Sequence, residues 1–195
     1  MLKRLPLLLI LVLAADSLGA AQTAPREFKT LVWNNSHVVS YEKRGTRLAI
    51  TMEMIADFEE DRTSQKWTER DFTSMRIDLN NNGSLDKDLD VAFGQASVTD
   101  RFCPQFLREE WASSTCGRLA SRGSLKISFG RSPFHDTAHP IFEYSIPIAE
   151  LSKHSDTVGF TFKFHSGRSG FVFYPAGASL KNTFTETITL NLANL

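Results

Sequence analysis

Alternation with a period of two is the feature that most restricts what this chain can fold into. Arg47 to Ile55 reads R-L-A-I-T-M-E-M-I, with Leu48, Ile50, Met52 and Met54 at every second position and Arg47, Thr51 and Glu53 among the residues between. Successive side chains of an extended strand point to opposite faces, so this segment offers one apolar and one polar face. The same beat returns in Thr73 to Leu79, Ser124 to Phe129, Phe142 to Ile146, Val158 to Phe164, Gly170 to Tyr174 and Phe184 to Leu192, with Gly, Pro, Asn and Asp clusters between. Helical spacing is confined to Gln105 to Trp111 and Ile148 to Leu151. The pattern predicts an all-β fold: an antiparallel β-sandwich, immunoglobulin-like or jelly-roll-like, with one or two short helices. A core rich in aromatic rings is expected, because the chain holds 15 Phe against 3 Tyr and 3 Trp.

The first residues read as an address. Lys3 and Arg4 precede an apolar run from Leu7 to Ala15, and Gly19, Ala20 and Ala21 supply small residues for cleavage, which is the layout of a secretory signal peptide over residues 1–21. The apolar run is shorter than the roughly 20 residues that a spanning helix needs. Residues 22–195 then form a single β-sandwich domain, secreted or periplasmic, with no membrane span after cleavage. Removing Lys3, Arg4 and Asp16 from 22 basic and 22 acidic residues leaves 20 against 21. A chain so near neutrality carries no polyelectrolyte signature, which argues against a nucleic-acid binder held by phosphate contacts. In an oxidising compartment Cys103 and Cys116 are expected to form a disulfide. Closing a loop of about 14 residues contributes on the order of 3 kcal/mol in the chain-entropy account.

Met75 to Gly94 holds the most specific motif. Asp78, Asn80 and Asn82 alternate, Gly83 and Ser84 follow, and Asp86 completes a D-x-N-x-N-G-x-x-D run, the first nine positions of a calcium loop. Oxygen-bearing side chains at alternate residues converge on one cation as the backbone wraps it, and a glycine permits the positive φ of the sharp turn. The twelfth position, where a bidentate carboxylate normally closes the shell, is Leu89, flanked by Asp88 and Asp90. Two readings stand together: a Ca2+ site made by Asp78, Asn80, Asn82, Ser84, Asp86 and Asp90, or a hairpin with Asx-turns and no ion. Without helices on either side it is not an EF-hand. Asn82-Gly83-Ser84 and Asn34-Asn35-Ser36 are also glycosylation sequons, meaningful in a eukaryotic source.

The order R-L-A-I-T-M-E-M, then W-T-E-R-D-F-T-S-M-R-I-D-L-N-N-N-G, then I-F-E-Y-S-I-P-I-A-E-L and D-T-V-G-F-T-F-K-F resembles the DOMON-like superfamily, which includes the family 9 carbohydrate-binding modules. Asp71, Asp78, Glu143, Ile146, Pro147, Glu150, Leu151, Val158, Gly159 and Phe160 occupy the matching places. The resemblance implies a β-sandwich, structural calcium, and sugar rings held between aromatic side chains with polar groups on the hydroxyls. Trp67, Trp111 and Trp33 are the tryptophans available for that stacking. Trp67 stands in a polar stretch beside Arg70 and Asp71, so Trp67, Arg70, Asp71 and Trp111 form the expected ligand-binding set, with packing in the core as the alternative for Trp67. A haem-binding branch of the superfamily uses Met and His. Met52 and Met54 read as ordinary inward residues, and no C-x-x-C-H is present.

For catalysis there is no G-x-S-x-G, no P-loop and no H-E-x-x-H. His135 and His139 in H-D-T-A-H offer a two-imidazole metal option, with a loop carrying surface histidines as the plainer reading. Glu143, Glu150, Asp78 and Asp86 offer carboxylates for a glycoside-processing enzyme, a reading that ranks below binding. The sequence is therefore read as a secreted, non-catalytic, ligand-binding β-sandwich, glycan-binding and calcium-stabilised. The alternative is an envelope or extracellular protein-interaction protein on the same scaffold.

Overall fold

The computed structural model describes residues 28–60, 71–84, 86, 89–94, 123–167, 170–178 and 186–195. These hold strands β1 (Lys29–Trp33), β2 (Val38–Arg44), β3 (Arg47–Glu53), β4 (Phe72–Asp78), β5 (Val91–Gly94), β6 (Ser124–Ser132) and β7 (His135–Pro147). They continue with helix α1 (Ile148–Leu151), β8 (Thr157–Ser166), β9 (Gly170–Tyr174), β10 (Ile188–Asn191) and a single 3-10 turn (Leu192–Asn194). One sheet runs β1-β2-β3-β7-β6 and the other β10-β8-β4-β5, with β9 also on β8. Every pairing is antiparallel. The all-β sandwich read from the alternation is the fold. Among the described residues no helix is long and apolar enough to cross a membrane.

The alternating residues meet in the middle. Leu48, Ile50 and Met52 of β3 and Phe142, Tyr144 and Ile146 of β7 come from the first sheet; Met75 and Ile77 of β4 and Phe160, Phe162 and Phe164 of β8 come from the second. All are 0% exposed and share one apolar cluster. Met54, just past β3, joins them and donates its N–H to the Pro140 carbonyl at 3.1 Å. Truncating a ring in such a core costs about 3–5 kcal/mol in lost transfer energy and cavity. One polar pin crosses the interior: the Tyr144 hydroxyl donates to the Thr73 carbonyl at 3.0 Å and lies 2.7 Å from the Thr73 hydroxyl.

Strand β8 is the hinge of the second sheet. One edge pairs with β4 along Gly159 to His165, while the other is shared end to end by β10 on Thr157 to Phe160 and β9 on Phe162 to Ser166. Residues Glu186 and Thr187 cross its outer surface: the Thr161 hydroxyl donates to the Glu186 carbonyl at 3.3 Å, and a Cβ on Gly159 would meet the Thr187 side chain at 2.9 Å. Glycine is required there by close approach.

Several boundaries differ from the sequence reading. Strands β1, β2 and β5 carry no clean alternation; Val38, Val39 and Ser40 are buried in succession. Strand β7 begins at His135, seven residues before the Phe142 start expected. Pro140 is tolerated there because the last β3 pair is Glu53 with Ile141, so Pro140 lies beyond the end of β3. Helix α1 stands where expected. The Gln105 to Trp111 segment, the signal segment, and Cys103 with Cys116 lie outside the described residues.

Candidate ligand-binding face

Register places a second set of residues on the face of the β4-β8-β9 sheet that is turned away from the sandwich core. Phe72 pairs with His165, Ser74 with Lys163 and Arg76 with Thr161, while Phe171 pairs with His165 from the other side. These alternate with the inward Thr73, Met75, Phe162 and Phe164, so they share the opposite face. The Phe72 and His165 rings stack at 4.5 Å and 19°, His165 and Phe171 lie 4.5 Å apart at 48°, and Phe72 meets Phe171 edge-on at 6.1 Å. Lys163 Nζ sits 4.2 Å from the Phe171 centroid and 5.2 Å from that of Phe72. Phe171 is 43% exposed while His165, Arg76 and Thr161 are buried, so the cluster opens to solvent at Phe171, on the β9 side.

The cations of this face are held at a cost. Burial, and then the neighbouring Arg76, push the Lys163 ammonium down to about 8. Burial also lowers the Arg76 guanidinium from its usual range. Arg76 stands diagonally from Lys163 across the β4–β8 ladder, where side chains of this length reach one another. Exposed ring surface next to N–H donors can hold an apolar ring face and accept-only oxygens at once.

Of the ligand-binding residues expected from sequence, Trp67, Arg70 and Trp111 lie outside the described residues. Asp71 is 2% exposed and directly precedes Phe72 at the entrance to β4. The residues that sequence reasoning missed, Phe72, His165, Phe171 and Lys163, come together only once β4, β8 and β9 are paired, and no linear motif announces them.

At the far end of β4 lies the Asp78–Asp90 connection to β5. Asp78 is fully buried and accepts the Asn82 and Gly83 N–H groups at 3.2 and 2.8 Å. Asn82 Oδ1 accepts Ser84 N–H at 2.7 Å, and the two carboxylate oxygens of Asp90 accept Leu79 and Asp86 N–H at 3.0 and 2.7 Å. Asn81 at φ 52° and Gly83 at φ 75° make the bend. The amides of Asn80 and Asn82 both donate to Asp86 Oδ2, at 2.6 and 2.9 Å. Three side chains thus converge on one point, with the amide oxygens of Asn80 and Asn82 turned the other way, onto the N–H groups of Asn82 and Ser84. Burial, with Asp78 and Asp86 adding repulsion, raises the Asp90 carboxyl to about 6. Among the described residues no three His, Cys, Asp or Glu side chains gather in metal-binding geometry. The residue types are those of a calcium shell, and Asp86 is the point on which the amides of Asn80 and Asn82 converge.

A solved structure with this architecture is a carbohydrate-binding module of family 9 from Caldicellulosiruptor kristjanssonii, in complex with cellotriose. It is 11% identical, with a TM-score of 0.50, over 85% of this chain and 82% of that one. The fold is like that of a family 9 module. No protein-family model matches the sequence, and no curated protein matches it.

On this family 9-like sandwich a second aromatic group lies at the end where β1 and β3 finish. Trp33, 65% exposed, meets Phe134 edge-on at 5.4 Å, and Phe134 meets Phe28 at 6.0 Å. Phe58, 49% exposed, stacks on His135 at 5.7 Å. The H-D-T-A-H segment opens strand β7 and is no surface loop. His139 is fully buried, its Nε2 2.9 Å from Glu53 Oε2 and its Nδ1 2.8 Å from the Thr137 carbonyl. Both ring nitrogens thus lie within hydrogen-bond distance of oxygens of the chain itself. The pair fastens the β6–β7 hairpin tip to the end of β3.

Proposed function

We propose that the mature chain is an exported, non-catalytic glycan-binding module that holds sugar on the outer face of the β4-β8-β9 sheet, with calcium as a structural ion at the Asp78–Asp90 connection. The observation that carries the reading is the ring cluster of Phe72, His165 and Phe171, open at Phe171 and flanked by the Lys163 and Arg76 cations. Sugars present C–H faces that lie against rings and hydroxyls that need donors or acceptors, and this face supplies both. The family 9-like fold, on which another module was solved with cellotriose, supports the same reading.

Affinity electrophoresis in native gels cast with hydroxyethyl cellulose, xylan or polygalacturonate tests it. At least one polymer retards the purified mature protein, and Phe171→Ala weakens that retardation about tenfold with its melting temperature retained. Migration unaltered by every glycan sinks the proposal.

A second reading, protein interaction, is favoured by one observation: Trp33, Phe28 and Phe134 form an apolar patch beside the edge strand β1. Exposed rings on an unpaired sheet edge favour association with another chain. On that reading Trp33→Ala lowers the weight-average mass in sedimentation and leaves glycan retardation alone.

A further inference from the structure

The half-buried cations of the first sheet each meet an oxygen. Arg44 bonds Glu42 and Glu143, the latter at 2.9 Å, and Arg47 donates to the Ser145 hydroxyl and carbonyl at 2.7 and 2.9 Å. Lys163 is arranged differently. Its ammonium lies over two phenyl rings, its charged neighbour is Arg76 of the same sign, and no carboxylate pairs with it among the described residues. Ring faces compensate a cation only in part, and burial of an ammonium without a counter-charge is unfavourable. Among the described residues the Lys163 ammonium is therefore without a carboxylate, at a point bordered by stacking surface.

We propose that this face selects acidic glycans, with the Lys163 ammonium taking the carboxylate of a uronic acid residue whose ring lies against Phe171. The inference rests on the glycan-binding reading and names its substrate class. A uronic acid fits because its carboxylate is attached to the sugar ring itself, so charge and C–H face arrive together, as ammonium and phenyl ring do in the protein. A neutral sugar would fill the aromatic surface and leave the ammonium facing hydroxyl dipoles alone. Arg76 stands diagonal to Lys163 on the same face and is the charged neighbour that acts on its ammonium. His165 is the other titratable group on the face, and it stacks on Phe72 and Phe171.

Calorimetric titration with a uronic acid trimer and with its carboxyl-reduced, neutral counterpart isolates the charge. The acidic trimer binds at least about tenfold more tightly, high salt narrows the gap, Lys163→Met abolishes it, and Lys163→Arg keeps most of it. Melting curves of both variants establish that they fold, and the Arg variant carries the test if the Met variant does not. Equal affinity for the two trimers in the parent protein overturns the acidic selection and leaves glycan binding standing. Binding to neither overturns both. Competition by a triglutamate peptide as strong as by the acidic trimer also overturns the proposal, since charge without a sugar ring would then suffice.

Discussion

Lys163 shows how a single residue gives up stability at the site proposed for acidic glycans. Its proton is held near 8 in the folded chain against 10.5 ordinarily, through burial and then Arg76. Between those values the unfolded chain binds more protons, so this group makes stability rise with pH from about 8 to 10.5. Lys163→Met is expected to raise the melting temperature at neutral pH and to flatten that rise, measured by a melting series across the window; parallel curves for parent and variant contradict it. Asp90 works in the other direction. Its carboxyl is raised from 3.8 to about 6, so the stability it contributes is complete below 3.8 and lost as pH rises through about 6. His37, lowered by burial to about 4, adds an opposite slope in the same range, since its stability is lost as pH falls below 6.5. The difference between calcium and chelator separates the two, because calcium competes with the proton at the Asp90 loop alone. The expected outcome is a melting-temperature gap that opens as pH rises through about 6; a gap of zero at every pH rules out the ion. The loop motif could be read from sequence because its residues are neighbours in the chain. The Phe72, His165 and Phe171 cluster could not, since its members are brought together by strand register.

At the scale of elements, legibility follows how one-sided each strand is. Strand β3, with Leu48, Ile50 and Met52 inward, shows its period in the chain. Strand β5 has four residues, too few for a period, and β7 starts seven residues ahead of the Phe142 expected, running through Pro140, which falls past the end of β3. The long β7 is held to the second sheet by Tyr144, whose hydroxyl reaches Thr73 across the core. Tyr144→Phe leaves the Thr73 oxygens buried without that donor and is expected to cost about 1–3 kcal/mol in urea unfolding. A loss indistinguishable from zero would show that the pin contributes packing alone.

For the whole molecule the two proposed sites stand at opposite ends of β4. Phe72 opens the strand and Asp78 closes it, about 20 Å away at the usual rise per residue. Calcium removal is therefore expected to lower the melting temperature while leaving the dissociation constant for a bound glycan within about twofold, by titration with chelator present. A large loss of affinity would mean that the connection shapes the binding face through β4. Strand β8, shared between β10 and β9 along one edge, has a different consequence. Its even-numbered Phe160, Phe162 and Phe164 belong to the interior, and its odd-numbered Lys163 and His165 lie on the opposite face, the one proposed to meet ligand. A library of substitutions along this one segment should therefore sort into two interleaved classes, with yield of soluble protein changing at even positions and ligand preference at odd ones. A lineage could exchange what it recognises here one residue at a time, without rebuilding what it is made of.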